Sequence, residues 1–236
     1  MDKYGVLFSN NGKELIKCPE DYSGEYVVPK NVRRIRENAF AGCKKISSII
    51  FPDYLSKIGK RAFFECDGLE SLTLPEYVID IGNQAFMGCS KLKSIYIPYT
   101  VKRIGEGAFC GCMRLTSIFL PSGIDKIREF TFMDCINLET VEYTYNIKSI
   151  GKYAFNGCTR LQSIPLHNNL KIIGMNAFGF CDNLAIMIPG TVTFIGRYAF
   201  ECCDNLEITL PERFQPRERF LGLNSSCKVH YYKIDR

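Results

Sequence analysis

The sequence predicts a mainly β solenoid of the α/β class, a curved parallel sheet with one short helical turn per 22–23-residue repeat, capped at both ends. A phenylalanine recurs along most of the 236 residues, and two apolar periodicities alternate between successive phenylalanines. One such unit cannot bury its own apolar face, so stacking of neighbouring units must bury it. Seven phenylalanines are spaced 23 residues apart and the eighth follows after 22: Phe40, Phe63, Phe86, Phe109, Phe132, Phe155, Phe178 and Phe200.

Each unit contains a strand signal followed by a turn signal. In the third unit, the stretch from Leu92 to Pro98 ends in strict apolar alternation, which predicts a short strand with Ile95 and Ile97 facing inward. Pro98 then ends the strand, because proline has no N–H to donate to a ladder. Phe86, Cys89 and Leu92 are three residues apart, which predicts one turn of 3₁₀ or α-helix. Glycines at the end of this turn suit a positive φ: Gly42, Gly88, Gly111 and Gly157.

The chain is predicted to be one domain, residues 1–236, with no linker. Residues 1–31 are interpreted as an N-terminal hairpin cap and a partial repeat, whose strand includes Tyr26-Val27-Val28-Pro29. Residues 32–211 hold the eight repeats. Residues 212–236 follow the repeat pattern loosely and are interpreted as a degenerate capping repeat, with a helical turn over Arg217–Asn224 and a last strand over Lys228–Tyr232.

The motif resembles a known family. Leu69-x-x-Leu72-x-Leu74 has the spacing of a leucine-rich repeat, and the motif Ile-Gly-x-x-Ala-Phe-x-Gly-Cys resembles the BspA-like (Treponema-type) subclass. The resemblance covers Val32 to Pro211 and implies a leucine-rich-repeat solenoid. The position that holds asparagine in other subclasses departs from that pattern, and its residues are Asn31, Tyr54, Tyr77, Thr100, Gly123, Asn146 and Asn169.

Composition narrows the function classes. The formal net charge is +5 and the basic residues form no concentrated block, which argues against a nucleic-acid partner. The apolar runs are too short for a membrane helix, so no membrane insertion is expected. The residues from Met1 lack a secretory signal and the cysteines are numerous, which predicts a cytoplasmic protein. The family resemblance implies instead a cell-surface or secreted one.

Eight of the twelve cysteines share one repeat position: Cys43, Cys66, Cys89, Cys112, Cys135, Cys158, Cys181 and Cys203. Equivalent residues on stacked parallel strands lie farther apart than the Cβ atoms of a disulfide, so we interpret them as small buried apolar residues. The other four, Cys18, Cys110, Cys202 and Cys227, lie outside this column. An additional pair among these four stays open.

The sequence offers little chemistry for catalysis. There are two histidines, His167 and His230, and neither accompanies a nucleophile, phosphate-binding or metal-binding motif. We therefore predict no enzyme activity, no cofactor and no metal site. The column Ser48, Ser71, Ser94, Ser117, Thr140 and Ser163 is interpreted as small side chains on the outward sheet face.

The position between the two inward apolar residues of each strand varies most in chemical character. It must point out of the sheet on the concave face. We predict a partner-binding surface there, formed by Ile50, Thr73, Tyr96, Phe119, Glu142 and Met187; Pro165 and Thr209 hold the same position. Exposed apolar and aromatic clusters often mark interfaces, although β-propensity alone also favours such residues in a strand.

Three functional hypotheses follow. The first is a non-catalytic, adhesin-like protein-binding module whose partner, if the protein is exported, is a host or bacterial surface protein; the adhesin role is what the resemblance implies. The second is an intracellular scaffold or inhibitor that uses the same face. The third is polyanion binding by a basic stripe, Arg34, Lys57, Arg103 and Lys126, interrupted by Asp80, for which solvated charge at the edge of the sheet is the simpler explanation.

Overall fold

The computed structural model describes residues 1–143 and 145–234, and these form a parallel β-solenoid of about nine turns. Its strands, numbered in chain order, are β1 (Leu7–Phe8), β2 (Glu14–Lys17), β3 (Ser23–Val27), β4 (Arg34–Ile35), β5 (Lys45–Ile50), β6 (Lys57–Ile58), β7 (Ser71–Thr73), β8 (Asp80–Ile81), β9 (Ser94–Tyr96), β10 (Arg103–Ile104), β11 (Ser117–Leu120), β12 (Lys126–Ile127), β13 (Thr140–Tyr143), β14 (Ser149–Ile150), β15 (Ile172–Ile173), β16 (Ala185–Met187), β17 (Phe194–Ile195), β18 (Glu207–Pro211) and β19 (Lys228–Tyr232). The predicted solenoid with a parallel sheet is confirmed.

The longer strands form one face, here called the sheet face. They pair in parallel: β3 with β5, β7 with β9, β11 with β13, β16 with β18, and β18 with β19. The register shifts only in the first of these pairs, between Gly24 and Glu25. Ile95 and Ile97 are buried as predicted, whereas Tyr96 between them is exposed. Between β13 and β16, the sixth repeat has no longer strand. Only single bridges join Ser163 to Thr140 and to Ala185, because Pro165 has no N–H for a longer ladder.

A second ladder of two-residue strands runs along another edge of the solenoid. This short-strand ladder consists of two sheets, in which successive strands lie side by side in parallel. The first sheet contains β4, β6, β8 and β10, and the second contains β12, β14, β15 and β17. The sequence-based interpretation assigned one strand to each repeat and missed this second one, which spans the residue before the Ile-Gly step and the isoleucine itself.

The segment of each repeat that was predicted as one helical turn consists of consecutive β-turns, three of them in the first repeat. In the first repeat, Ala39 N–H donates to Arg36 O and Ala41 N–H donates to Asn38 O, while Asn38 has φ of 56°. A left-handed residue between the turns prevents a continuous right-handed helix. The second left-handed position of the turn holds Gly42, Gly88, Gly111 and Gly157 at φ of 71–78°, as the sequence predicted.

The interior is a column of phenylalanines beside a column of thiols. The eight repeat phenylalanines are fully buried, and consecutive rings stack with centroids 4.9–5.6 Å apart. The eight repeat cysteines are also fully buried, as predicted. From Cys66 onward, each thiol donates to the carbonyl oxygen of the phenylalanine one repeat back, for example Cys89 Sγ to Phe63 O at 3.1 Å. The thiol column therefore joins neighbouring repeats.

The two end regions differ from the repeats. β1 and β2 form an antiparallel hairpin, and β2 pairs in parallel with β4, the first strand of the short-strand ladder. At the other end, a 3₁₀-helix (Glu212–Arg217) leads into α1 (Glu218–Leu221), which ends at Gly222 in a left-handed conformation. The predicted helical turn thus begins earlier than Arg217, and the predicted last strand Lys228–Tyr232 coincides with β19.

Candidate partner-binding surface

The variable column is the set of residues that the sequence placed on the outward side of the longer strands. Four of its members have exposed large apolar side chains, Ile50, Tyr96, Phe119 and Met187, with exposed fractions between 49% and 59%. Thr73, Glu142 and Pro165 are also exposed, and Thr209 is partly exposed. The structure therefore places every predicted site residue on the surface of the sheet face.

Strand register brings members of the variable column side by side. Thr73 pairs with Tyr96, Phe119 pairs with Glu142, and Met187 pairs with Thr209. Their flanking residues, such as Leu72 and Ile118, point into the core, so the alternation of the strand fixes the outward direction of the column. Glu142 and Pro165 separate Phe119 from Met187, so Met187 is not part of a continuous apolar patch with Tyr96 and Phe119.

Tyr96 makes a polar contact on this face. Its hydroxyl donates to Glu76 Oε1 at 2.9 Å. This hydrogen bond to a carboxylate favours the protonated phenol and raises the pKa of Tyr96 above its ordinary value. Tyr96 therefore stays neutral at physiological pH and presents an aromatic ring whose hydroxyl is oriented.

Two neighbouring features of the sheet face bear on this surface. Val27 pairs with Ile50 and is exposed, so it extends the variable column by one strand. Its spacing of one repeat from Ile50 was a signal that could have found it. The small hydroxyl column also lies outward: Ser71, Ser94, Ser117, Thr140 and Ser163 are exposed, and Ser48 is partly buried. Small residues beside a column of large ones leave room for a partner to reach the large ones.

The predicted basic stripe lies on the short-strand ladder, and an acidic residue largely neutralises its centre. Asp80 contacts Lys57 Nζ at 3.0 Å and Arg103 Nη1 at 2.8 Å. Burial by itself would raise the pKa of Asp80, but the hydrogen bonds and charges of Lys57 and Arg103 outweigh it and hold the pKa below its ordinary value. Arg34 lies 3.7 Å from Glu14. Three of its four basic residues, Arg34, Lys57 and Arg103, are therefore ion-paired, and the stripe is not a uniform basic surface.

The two histidines lie in different parts of the solenoid, and the four cysteines outside the repeat column carry free thiols. His167 packs near Tyr143 and Tyr145, with ring centroids at 5.5 Å and 4.4 Å. His230 lies on β19, 3.9 Å from Glu207. Within residues 1–143 and 145–234, no three His, Cys, Asp or Glu side chains are grouped to hold a metal ion. Cys18 and Cys110 are buried, Cys227 is partly buried and Cys202 is exposed.

The asparagine position of the loop that follows each longer strand holds a polar residue that bonds to the preceding layer, an exposed tyrosine or, once, Gly123. Where asparagine is present, its side-chain amide donates to a carbonyl of the preceding layer: Asn31 to Gly12 O, Asn146 to Ser122 O and Asn169 to Tyr145 O, at 2.6–2.9 Å. Thr100 Oγ1 donates in a similar way to Glu76 O at 2.7 Å. Tyr54 and Tyr77 are exposed instead, and their rings contact one another with centroids 4.9 Å apart.

These features agree with comparison to known proteins. Residues 23–139 and 79–207 match the family described as the BspA type leucine rich repeat region, which together is well over half of the chain. The protein therefore belongs to the BspA-type leucine-rich repeat family. No curated protein matches the sequence.

Solved structures of bacterial leucine-rich repeat proteins are similar to it. A leucine-rich repeat protein from Eubacterium ventriosum is 27% identical with a TM-score of 0.69, over 75% of this chain and 48% of that one. The chain thus spans about half the length of that relative. The Treponema pallidum leucine rich repeat protein is 25% identical with a TM-score of 0.56, over 67% of this chain and 87% of that one. A leucine rich cell surface protein from Faecalibacterium prausnitzii, at 19% identity and a TM-score of 0.60, covers 99% of this chain and 94% of its own and shares the fold.

No helix among residues 1–143 and 145–234 is both long enough and apolar enough to cross a bilayer. Leucine-rich repeat proteins are in general modules for interaction with other proteins.

Proposed function

We propose that this protein is a non-catalytic recognition module that binds a protein partner through the variable column, on the concave side of the sheet face. The observation that carries the proposal is the column itself. Ile50, Tyr96, Phe119 and Met187 expose about half or more of their surface, although the residue before each of them in its strand is buried. Aromatic and large apolar side chains at such positions supply most of the energy of protein interfaces.

The backbone beneath the column favours binding by a rigid surface. The column residues lie on strands that are hydrogen-bonded to their neighbours, so docking orders few additional backbone angles. Eight repeat strands at the usual spacing give a surface roughly 34 Å long. Such a length suits a macromolecular partner better than a small molecule.

Within this function, we favour an adhesin-like role toward a host or bacterial surface protein, in keeping with the family. An intracellular scaffold or inhibitor would use the same column. The two roles differ in where the partner is found. Binding to components of the host matrix would support the first, and binding to proteins of the source cell would support the second.

The test compares the wild-type protein with the double variant Tyr96→Ala/Phe119→Ala. Both proteins are immobilised and exposed to host-matrix proteins and to a lysate of the source organism. We expect the double variant to keep the wild-type circular dichroism spectrum and to lose the partner that the wild type retains. The matched control is Tyr99→Ala/Tyr145→Ala, which removes two exposed tyrosines outside the column. Equal retention by the wild type and the column variant would contradict the proposal.

We also propose that residues 1–236 work as one domain. Supporting this, a single set of buried side chains extends from Val6 to Leu221, and both end regions pack onto it. The hairpin within residues 1–31 and the segment within residues 212–236 then act as caps on the eight repeats of residues 32–211.

A further inference from the structure

We propose a second binding site, separate from the variable column, that takes an acidic saccharide. It is the cleft near the N-terminal hairpin, here called the tyrosine cleft, with a volume of about 480 Å³. This volume is in the range of clefts that hold small ligands. The argument uses six of its lining residues, which are Lys13, Arg33, Arg34, Tyr54, Ser56 and Tyr77.

The two tyrosines form the apolar part of the cleft. Tyr54 is 53% and Tyr77 is 56% exposed, and their rings incline by 44° to each other. The Arg33 guanidinium lies 5.2 Å from the centroid of the Tyr54 ring, which holds that ring in place by a cation–π contact. The cleft therefore presents two adjoining aromatic faces to solvent, one of them fixed.

The tyrosines replace residues that have a structural role elsewhere in the solenoid. At the equivalent loop position, Asn31, Asn146, Asn169 and Thr100 donate to the preceding layer. A tyrosine ring directed outward makes no such bond. The two repeats with tyrosine at this position are those that line the cleft, so the residues there serve the surface rather than the stacking.

The cleft has an excess of positive charge. Lys13, Arg33 and Arg34 line it with one acid, Glu14, which lies 3.7 Å from Arg34 and is also shared with Arg36 at 3.6 Å. No carboxylate of residues 1–143 and 145–234 lies within ion-pair distance of Lys13 or Arg33. A carboxylate or sulfate in the cleft would meet these two cations beside the Tyr54 ring.

The backbone around the cleft argues against an extended peptide as the ligand. Arg33 N–H donates to Lys13 O at 2.7 Å, Ser56 N–H to Arg33 O at 2.8 Å, and Ile79 N–H to Ser56 O at 3.0 Å. Peptides that add as strands need free backbone groups, and these groups are occupied within the solenoid. A ligand in the cleft would therefore be recognised by side chains, through their aromatic rings, hydroxyl groups, amide groups and positive charges.

This combination fits a saccharide with an acidic substituent. A pyranose ring has an apolar face that packs on an aromatic ring, while its hydroxyl groups and acid pair with neighbouring polar side chains. Because the two tyrosine rings are inclined, they follow a chain of puckered sugar rings, whereas stacked flat nucleic-acid bases favour parallel faces.

The experiment titrates the intact protein with a hyaluronan tetrasaccharide, a chondroitin sulfate tetrasaccharide and neutral chitotetraose, using calorimetry at low salt. We expect both acidic probes to bind, and chitotetraose to bind at least about tenfold more weakly because it lacks an anionic group. If neither acidic probe binds at millimolar concentration, or if chitotetraose binds equally well, the proposal is wrong.

Variants locate the binding. Tyr54→Ala and Tyr77→Ala should each weaken binding of the acidic probes by about tenfold. The matched control is Lys102→Gln, which removes an exposed cation at the loop position equivalent to Arg33 in another repeat and outside the cleft. It should change affinity by less than about twofold.

Equal losses of affinity in Lys102→Gln and the tyrosine variants would indicate non-specific attraction of anions and overturn the proposal. Tighter binding of a hexaglutamate peptide or a single-stranded oligonucleotide than of either acidic saccharide would also overturn it. The outcome is independent of the variable column, whose double variant should bind the saccharides normally.

Discussion

The boundary between the fourth repeat, which begins at Val101, and the fifth, which begins at Ile124, differs between its interior and its edge. Inside, contacts cross it unchanged: Phe109 stacks on Phe132 at 5.6 Å, and Cys135 Sγ donates to Phe109 O at 3.1 Å. At the edge, the short-strand ladder stops, because β10 and β12 belong to different sheets. The interior therefore holds the two repeats together where the edge does not.

One residue explains the break in the ladder. The Ile-Gly step places glycine against the layer beneath it, and a Cβ at Gly82, Gly105 or Gly151 would lie only 2.3–2.6 Å from backbone atoms of the preceding repeat. The fifth repeat has Arg128 at this position. Gly105 and Gly151 N–H donate to Ile81 O and Ile127 O, but the corresponding bond from Arg128 to Ile104 is missing from the residues that the structure describes.

Arg36 shows that the layer beneath decides the outcome. It occupies the same repeat position as Arg128, yet its N–H donates to Leu15 O at 2.9 Å. The layer beneath Arg36 is β2 of the hairpin rather than another repeat, so the backbone there leaves room for a side chain. Glycine is thus needed to close the short-strand ladder where one repeat stacks on another, and is not demanded by the turn itself.

The first prediction concerns the interior that crosses the boundary, and it carries the largest effect. Burial raises the pKa of Cys89 and of Cys203 to about 12, and burial likewise raises the pKa of Cys112, Cys158 and Cys181 well above the ordinary thiol value. Above pH 9 the unfolded chain loses these protons while the folded chain keeps them. Stability is therefore fully present below pH 9 and falls as the pH rises toward 12, by about 1.4 kcal/mol per pH unit for each thiol.

Urea unfolding at a series of pH values from 7 to 11 measures this effect. We expect the unfolding midpoint to fall steeply above pH 9. Cys158→Ala should flatten the slope by the share of one thiol, whereas Cys202→Ala, at an exposed position, should leave it unchanged. A midpoint that stays constant to pH 11 would contradict the buried thiol column.

The second prediction tests whether the interior is packed as tightly at the boundary as it is away from it. Phe109→Ala, at the boundary, and Phe63→Ala, away from it, should each cost about 3–5 kcal/mol of unfolding free energy, because each empties one fully buried layer. Chemical denaturation provides the measurement. A cost below about 1 kcal/mol for Phe109→Ala alone would show that the interior also loosens at the boundary.

The features that could be predicted from the sequence are those that recur in every repeat. The inward direction of Phe86, Cys89 and Ile95 and the outward direction of Tyr96 follow from periodicity, because the same spacing recurs in each unit. The second ladder was missed because a strand of two residues shows no period of its own. The left-handed break in the turn was missed as well, since its occupants include Asn38, Arg61 and Phe130 and share no chemical signature.

Of the two candidate sites, one could be predicted from the sequence and the other could not. The variable column was predicted because a strand alternates, so the residue between Ile95 and Ile97 must face outward. The tyrosine cleft could not be predicted, since it joins Lys13 of the hairpin to Tyr54 and Tyr77 of later repeats. Tyr54 and Tyr77 stood out in the sequence as departures from an asparagine pattern, but only the structure places cations beside them.

The third prediction addresses the glycine step directly. Gly82→Ala should cost about 1–3 kcal/mol, because the new Cβ would meet the backbone of Gly59 and force the two repeats apart. Arg128→Ala should cost less than about 0.5 kcal/mol, since that layer already accommodates a Cβ. Thermal or urea unfolding of the two variants measures the difference. Equal costs would show that close approach is not what selects glycine at this step.

The smallest expected effect on stability comes from Arg128→Gly, which should close the ladder at the boundary. The glycine gains a backbone hydrogen bond to Ile104 O, worth about 0.5–1.5 kcal/mol, but it also adds conformational freedom to the unfolded chain, which costs about as much. The unfolding free energy should therefore change little, whereas hydrogen exchange should change clearly. In the wild type the amide of residue 128 should exchange faster than those of Gly105 and Gly151, and in the variant all three should exchange at similar rates. Continued fast exchange at residue 128 in the variant would mean that something other than the arginine Cβ keeps the ladder open. Thr131 would then be the candidate, because it occupies a position that is alanine in the other repeats and its hydroxyl donates to Arg128 O at 2.8 Å.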